Sequence, residues 1–173
     1  MKAYLSRQFH TKDLGTLRYF LGIEVARSKM GMYLSQHEYV LDLLLEIRML
    51  DSRSVDIPMD YHVKLDANMG ELFADVGHYR WPVGKFIYLT VTRSDITYAV
   101  GVISQFMSPR QPYWEVISCI LRYLKGAPGK GLLYKPSQKL TVEGFSYADW
   151  AGSRSDWRFT SGYCTFVGGN LVM

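Results

Sequence analysis

The most regular spacing of apolar positions lies in the segment TRSDITYAVGVISQFMSPRQPYWEVISCILRYLKG at 92–126. Two sets of apolar residues recur there at intervals of three and four, which places each set on one face of a helix. The two sets are Ile96, Ala99, Val100, Ile103, Phe106 and Met107, then Ile117, Ile120, Leu121 and Leu124. This spacing predicts a hairpin of two amphipathic helices.

Local signals set the limits of these two helices. Thr92 and Asp95 fit a capping box, in which side chains accept hydrogen bonds from the free N–H groups of a helix start. Pro109 ends the first helix, because the residue before a proline is pushed out of the α region. Pro112 suits the first turn of the second helix, and Gly126 is expected as its left-handed C-cap.

Basic side chains accompany the predicted helical hairpin. They are expected at the helix ends or away from the apolar faces, at Arg93, Arg110, Arg122 and Lys125. The hairpin should therefore have an apolar interior and a cationic exterior.

The N-terminal part predicts a β-hairpin followed by a helix. Apolar and polar residues alternate over 17–24, and the short strand 32–35 returns after a polar turn at 27–31. Gly22 inside the first strand marks a kink or a close approach of a ligand, and the residues alone favour the kink. Ser35 and Glu38 fit a second capping box, which opens a helix through about Leu50.

The C-terminal part predicts two strands, at 140–152 and 160–169, joined by a polar loop. The predicted fold class is therefore α+β, with an N-terminal β-hairpin and helix, a central helical bundle and a C-terminal β-hairpin. The predicted segments are 1–53, a linker at 54–78, the helical hairpin at 79–135, and 136–173. The acids of the linker, Asp66, Glu71 and Asp75, lack the spacing of a calcium loop and are expected to be solvated.

Composition and charge narrow the functional classes. The chain has 173 residues and a net charge of +4. Lys and Arg outnumber the acids in 1–30 and 81–139, whereas 31–80 is acidic and 140–173 is nearly neutral. Segregated positive charge favours a polyanionic partner, although a solvated basic face is the more frequent explanation. No segment reaches the roughly 18 apolar residues of a membrane span, so a cytoplasmic or nuclear protein is expected.

Several kinds of active site are disfavoured. Cys119 and Cys164 are too few for a disulfide framework and are expected to be buried, reduced thiols. No paired histidines accompany them, which argues against a zinc site. The sequence also lacks the G-x-S-x-G motif of a triad hydrolase.

The strings TRSDITYAVGVISQFM at 92–107 and ILRYLKG at 120–126 resemble the Pol polyprotein of copia-type LTR retrotransposons. The resemblance implies that 1–53 is the end of a reverse transcriptase palm with the first thumb helix, and that 79–135 belongs to the thumb and connection. KDLGTLRYFLGIEV at 12–25 is similar in position to the primer-grip hairpin, with Phe20, Leu21 and Gly22 at its tip or inner face. Ser94 stands where this family usually has proline.

The C-terminal strings LTVEGFSYADWAG and TSGYCTFVGG resemble the first strands of the RNase H domain of the same elements, so that 136–173 would be a truncated RNase H-like domain. The resemblance places the first metal-binding carboxylate of that domain at Tyr147, where a phenol does not replace an aspartate. Asp149 lies about 6.6 Å further along the strand and is not expected to substitute. The sequence also contains no Asp-Asp pair for a polymerase site.

These observations predict a non-catalytic fragment of a reverse transcriptase and RNase H polyprotein, with at most residual binding of an RNA–DNA template–primer. No catalytic residue, metal ligand or cofactor is expected in the chain, although the intact family enzyme would use Mg²⁺. The expected nucleic-acid contacts are Phe20, Leu21, Gly22, Lys85, Arg93, Arg122 and Lys125.

Two alternatives stay open. The chain could be part of an active RNA-directed DNA polymerase that an upstream palm segment completes, or a repurposed protein-interaction module. The remainder of the polyprotein is an expected partner and a membrane is not. An incomplete RNase H sheet would leave a strand edge unpaired, which predicts low solubility.

Overall fold

The structure is a computed structural model that describes residues 2–10, 15–60, 63, 65, 70–106, 109–149 and 160–172. The helices are α1 (Lys2–Gln8), α2 (His37–Glu46), α3 (Val76–Leu89), α4 (Thr97–Ser104) and α5 (Gln111–Gly126). The strands are β1 (Tyr19–Phe20), β2 (Ile23–Ser28), β3 (Gly31–Ser35), β4 (Leu132–Tyr134), β5 (Val142–Asp149), β6 (Thr160–Val167) and β7 (Asn170–Leu171). The α+β class is confirmed. Helix α1 had no counterpart in the sequence-based prediction.

The first sheet has four antiparallel strands in the order β1-β2-β3-β4. The expected return of the chain through β3 is confirmed, but the single strand predicted over 17–24 is wrong. Leu21 and Gly22 have φ values of 49° and 82°, and Phe20 pairs with Ile23 across them. Two successive positive φ values are typical of a two-residue type I′ turn, which divides the predicted strand into β1 and β2.

Strand β4 returns from the end of α5 and closes this sheet against β3. Met32 pairs with Tyr134, and Leu34 pairs with Leu132. Gly131 allows the approach, because a Cβ there would lie 2.0 Å from the carbonyl oxygen of Leu34. The stretch after α5 therefore serves as a turn into strand β4.

Helices α2, α3, α4 and α5 share one apolar core. The stripes predicted for the last two helices are largely buried there, and α2 and α3 complete the bundle. Its buried members are Val40, Leu43, Leu44, Met59, Tyr79, Val83, Phe86, Leu89, Ile96, Ala99, Val100, Ile103, Tyr113, Val116, Ile117, Ile120, Leu121 and Leu124. The core thus combines residues of 1–53 and 79–135 with one residue of the linker. Met107 and Ser108 lie outside the described residues.

The helix limits differ in detail from the prediction. A short 3₁₀ turn at Ser94–Ile96 precedes α4, and its start has no side-chain cap. The hydroxyl of Thr92 instead donates to Oε1 of Gln36 at 2.7 Å. Gly126 is the last residue of α5 and does not have a positive φ; the C-cap is Ala127, with φ of −152°. The capping box and the left-handed cap are therefore wrong.

A strand residue caps helix α2. The carboxylate of Glu24 accepts a hydrogen bond from the backbone N–H of Glu38 at 3.0 Å and another from the hydroxyl of Ser35 at 3.3 Å. The predicted Ser35–Glu38 capping box is wrong, because Gln36 is the N-cap and makes no side-chain cap. The helix ends at Glu46.

Helix α3 begins at an acid that was expected to be solvated. Asp75 accepts a hydrogen bond from the backbone N–H of His78 at 2.8 Å, so it is the N-cap of this helix. Tyr79, one turn further, is buried and donates its hydroxyl to the carbonyl of Ile103 at 2.8 Å. Asp66 lies outside the described residues.

The C-terminal sheet has three antiparallel strands in the order β5-β6-β7. Phe145 opposes Cys164 and Val142 opposes Val167, which confirms the predicted hairpin; residues 150–159 lie outside the described part of the chain. The side chain of Asn170 joins the two sheets by accepting from the N–H of Lys135 at 2.7 Å and donating to its carbonyl at 2.9 Å.

Cys119 and Cys164 are half-buried and form no disulfide. Within the described residues, every helix is too short or too polar to cross a lipid bilayer.

Candidate nucleic-acid interface

The turn between β1 and β2 projects two apolar side chains into solvent. Phe20 is 57% exposed and Leu21 is 70% exposed. The family resemblance implied that Phe20, Leu21 and Gly22 lie at the tip or inner face of a hairpin. The structure places Phe20 at the end of β1 and Leu21 and Gly22 in the turn that follows, and their contact with nucleic acid stays a prediction.

Helices α2 and α3 hold this tip in place. The carbonyl of Leu21 accepts a hydrogen bond from the hydroxyl of Tyr88. Gly22 lies against the rings of Tyr39 and Tyr88, which pack edge to face with their centroids 5.3 Å apart. The apolar tip is therefore exposed to solvent, while its backbone is held in place by residues of α2 and α3.

Lys85 lies beside this support, on α3. Its ammonium is 5.0 Å from the centroid of the Trp81 ring and 5.3 Å from that of Tyr39. Both distances are within cation–π range, so the two rings hold the charge near one position. Lys85 also lines a groove with Glu46 and His78, between the end of α2 and the outer face of α3.

The two predicted cations of α5 contact the loop that follows α2. Nε of Arg122 donates to the carbonyl of Arg53 at 2.7 Å, and Nζ of Lys125 donates to the carbonyl of Ser52. These contacts join the end of α5 to residues 52–53. Each cation therefore has a structural contact as well as its predicted role at a nucleic acid.

Arg93 does not lie on the exterior of the helical hairpin, and that prediction is wrong. It is 1% exposed, although charged residues are seldom fully buried unless paired. Its guanidinium donates to the two carboxylate oxygens of Asp95, at 3.0 Å each, and to the carbonyl of Ala127 at 2.8 Å. Burial is possible because these bonds satisfy the charge.

Asp95 is the centre of a small polar network. Besides Arg93, the hydroxyl of Tyr123 donates to it at 2.7 Å, and Nζ of Lys130 lies 2.9 Å from its Oδ2. Burial opposes ionisation of the carboxyl, but the hydrogen bonds from Arg93, Tyr123 and Lys130 outweigh it and hold the pKa of Asp95 well below its usual range. The network is a structural clamp between the start of α4 and the turn after α5.

The sequence analysis did not identify Trp81 and His78 as neighbours of Lys85, or Glu24 as the cap of α2. Trp81 and Lys85 follow His78 by three and seven positions, so the three residues share a face of α3. This helical spacing could have revealed that face. No pattern in the sequence near Glu24 indicates its role, because the helix that it caps begins 13 positions later, after β3.

The C-terminal sheet holds the positions considered for RNase H chemistry. Tyr147 lies in β5 opposite Gly162 and is 68% exposed, and the backbone of Asp149 pairs with Thr160. Within the part of the chain that the structure describes, no three His, Cys, Asp or Glu residues lie close enough to hold a metal ion. The assignment of no catalytic residue and no metal ligand stays a prediction.

Comparisons with known proteins identify several relatives. The chain is 42% identical over 165 residues to the retrovirus-related Pol polyprotein from transposon RE1 of Arabidopsis thaliana, covering 95% of this chain and 11% of that protein. It is 34% identical over 182 residues to the corresponding polyprotein from transposon TNT 1-94 of Nicotiana tabacum, covering 99% of this chain and 14% of that protein.

A relative of more similar length is the uncharacterized mitochondrial protein AtMg00810 of Arabidopsis thaliana. It is 38% identical over 170 residues, covering 97% of this chain and 70% of that protein. The chain matches no family model and no solved structure.

Proposed function

Because this chain belongs to the Pol polyproteins of copia-type retrotransposons, we propose that it holds a template–primer hybrid and carries no catalytic centre of its own. The chain spans 11% of the Pol polyprotein from transposon RE1, so this relative is several times longer than the chain. Binding, rather than chemistry, is the function that the geometry supports best.

The observation that carries this proposal is the braced turn at Leu21 and Gly22. Adjacent exposed apolar side chains can mark an interaction surface, and a positioning element must be held rigidly by its surroundings. The turn meets both conditions, because Leu21 is 70% exposed while its carbonyl is fixed by the Tyr88 hydroxyl. Phe20 and Leu21 would lie against sugar and base surfaces of the primer end.

Cations on the helices would supply the attraction to phosphate. Lys85 on α3 and Arg122 and Lys125 on α5 are the predicted contacts that lie outside the buried core. Each phosphate contact releases condensed counterions, so the binding should weaken steeply as salt is raised. Arg93 is excluded from this set, because its guanidinium is committed to Asp95 and Ala127.

The proposed lack of catalysis rests on metal ligands. Polymerase and RNase H chemistry both depend on clustered carboxylates that hold two divalent cations at the phosphate. The position that the family resemblance assigns to the first RNase H carboxylate is Tyr147, and a neutral phenol is a poor ligand for Mg²⁺.

The test is binding of a fluorescent RNA–DNA hybrid, measured by anisotropy over a range of salt concentrations. Lys125→Gln should weaken binding and reduce the slope of log K against log salt by about 1. The matched control is Lys29→Gln, which removes the same charge from the exposed turn between β2 and β3 and should leave the slope unchanged. Affinity that is independent of salt would contradict the proposal.

Activity assays test the second half of the proposal. Incorporation of nucleotides by the chain in the presence of Mg²⁺ would contradict it outright. Cleavage of the hybrid should also be absent, including in Tyr147→Asp, because one added carboxylate does not complete a two-metal site.

A second candidate is a segment of an active polymerase that needs the remainder of the polyprotein. The size of the transposon relatives favours it, since the match covers 11% and 14% of two of them. Mixing the chain with a separately produced palm segment distinguishes the two candidates. Polymerase activity that appears only in the mixture would support the second one.

A further inference from the structure

We propose that the groove between the end of α2 and the outer face of α3 binds one unpaired nucleotide, with its base stacked on Trp81 and its phosphate on Lys85. This inference rests on the proposed function, since it assigns a subsite for the single-stranded part of a bound template–primer. The groove lies beside the support of the hairpin tip, because Lys85 contacts the same Tyr39 ring against which Gly22 lies.

The size and lining of the groove fit a nucleotide. Its volume is about 420 Å³, and its walls are formed by Glu46, Ile47, His78, Trp81 and Lys85. Sites for small organic ligands are typically about 300–1,000 Å³ and combine apolar or aromatic walls with a few polar groups. Two aromatic rings, one cation and one carboxylate form such a combination.

The spacing of residues along α3 creates the binding face. His78, Trp81 and Lys85 are separated by three and then four positions, so they lie in a row on one side of the helix. Trp81 is 41% exposed, which leaves part of its indole uncovered. A base of any identity can stack on an exposed aromatic face, and an adjacent cation can reach its phosphate.

Neighbouring rings hold the wall of the groove in position. The ring of His78 packs against Trp114 at a tilt of 32°, with 4.5 Å between the centroids, and Trp114 stacks on Phe73 at 5.3 Å. Asp75 fixes the backbone at the same point by capping the N–H of His78. A wall that is already ordered loses little further freedom when a ligand binds.

The charge of Lys85 is available for an anion. Its ammonium lies over the rings of Trp81 and Tyr39, and among the described residues no carboxylate is within 4.0 Å of it. A charge-assisted hydrogen bond to phosphate is stronger than a neutral one, so a phosphate would add to the cation–π contacts.

Glu46 gives the subsite a preference among bases. An ionised carboxylate only accepts hydrogen bonds, and it pairs with the exocyclic amino group of cytosine. Thymine and uracil present a carbonyl oxygen at the equivalent position, which a carboxylate repels. The groove should therefore favour a cytosine in the overhang over a thymine.

The experiment compares a blunt RNA–DNA hybrid with the same hybrid carrying a short single-stranded deoxycytidine overhang. The overhang should increase affinity in the unmodified chain by roughly 5- to 150-fold, the range expected for one stacked base. Trp81→Leu should remove most of this increase and leave the affinity for the blunt hybrid nearly unchanged. Lys85→Gln should weaken binding of both hybrids, because Lys85 is also a proposed phosphate contact, but it should weaken binding of the overhang hybrid more, so that the ratio of the two affinities falls toward 1. Lys29→Gln is the control of equal charge, and the increase should persist in it.

The outcomes separate this inference from the proposed function. An overhang effect that survives both groove substitutions, or that Lys29→Gln removes equally, would overturn the inference and leave hybrid binding intact. No binding of either hybrid would overturn the proposed function and the inference with it.

A thymidine overhang tests the role of Glu46. Its lower affinity relative to deoxycytidine should disappear in Glu46→Gln, and a difference that persists in this variant would refute that role. Circular dichroism of each variant verifies that it is folded.

Discussion

The guanidinium of Arg93 and the carboxylate of Asp95 form a two-point ion pair, with both nitrogen–oxygen distances at 3.0 Å. Arg93 is almost completely buried and also donates to the carbonyl of Ala127, 34 positions away in the chain. The pair therefore connects the 3₁₀ turn before α4 to the turn that leads from α5 into β4. It makes a polar contact between segments that the apolar core already brings together.

Asp95→Asn should destabilise the protein. The substitution leaves the buried guanidinium of Arg93 without its counter-charge, and breaking such a pair costs about 3 kcal/mol. Urea unfolding followed by circular dichroism measures the loss. Glu115→Gln, an exposed acid on α5, is the control and should change the free energy of unfolding by less than about 0.5 kcal/mol. Equal effects of the two substitutions would contradict the role of the ion pair.

The same carboxyl should make stability depend on pH. The pKa of Asp95 is lower in the folded chain than in the unfolded one, so the unfolded state takes up the proton first as the solution is acidified. Its stabilising contribution is complete above about pH 5 and declines as pH falls through the unfolded value near 3.9 toward the lower folded value. The stability difference between the unmodified chain and Asp95→Asn should therefore shrink on acidification. A difference that stays constant down to about pH 3 would contradict this.

The Glu24 carboxylate caps α2 from the neighbouring sheet. Two substitutions at Glu24 should therefore lower the stability of the protein by different amounts. Glu24→Ala removes the acceptor for the N–H of Glu38 and should cost about 1 kcal/mol, as loss of an N-cap does. Glu24→Gln keeps an acceptor oxygen but loses the charge that the helix dipole favours, so its cost should be smaller. Thermal unfolding of the two variants gives the order, and a larger loss for Gln than for Ala would refute the capping role.

The turn at the hairpin tip allows stability and binding to be separated. Leu21 has φ of 49°, a conformation that asparagine tolerates better than leucine. Leu21→Asn should raise the free energy of unfolding by several tenths of a kcal/mol. It should also weaken hybrid binding, because it removes the exposed apolar tip. Gly22→Ala is the converse, since φ of 82° strains any Cβ and should cost about 1 kcal/mol. A Leu21→Asn protein that binds the hybrid as well as the unmodified chain would exclude the tip from the interface.

The contrast between α5 and the helix caps explains how much of the fold could be predicted from the sequence. The apolar stripe of α5 follows from a local period of 3.6 residues, and Ile117, Ile120, Leu121 and Leu124 are all fully buried. The caps were predicted from residues adjacent to each helix. In the structure the partner of Thr92 is Gln36, 56 positions away, and the partner of Glu38 is Glu24. Such long-range hydrogen bonds leave no periodic signal.

In the candidate site, too, features with a local sequence pattern could be predicted, whereas contacts between distant residues could not. The family resemblance implied that Phe20, Leu21 and Gly22 lie at the tip or inner face of a hairpin, and the structure places Leu21 and Gly22 in the turn that follows Phe20. Arg93 was predicted on the exterior because it lies at a helix end, away from the apolar faces, and its burial depends on partners that only the folded chain assembles. The groove beside Lys85 escaped prediction because its second wall comes from α2, more than 30 positions earlier in the chain.

The outer edge of the C-terminal sheet predicts self-association. Strand β5 is at one edge of this sheet and has exposed apolar and aromatic side chains, among them Val142 and Tyr147. Among the strands that the structure describes, β5 pairs only with β6. An open edge with little charge is a template for pairing with another chain, and a lysine in the strand is a common protection. Tyr147→Lys should therefore reduce self-association. Leu140→Lys adds the same charge at a residue that is 86% exposed and outside the strand, so it controls for net charge. Sedimentation velocity at several concentrations measures the effect, and an equal improvement by both substitutions would assign it to net charge instead of the edge.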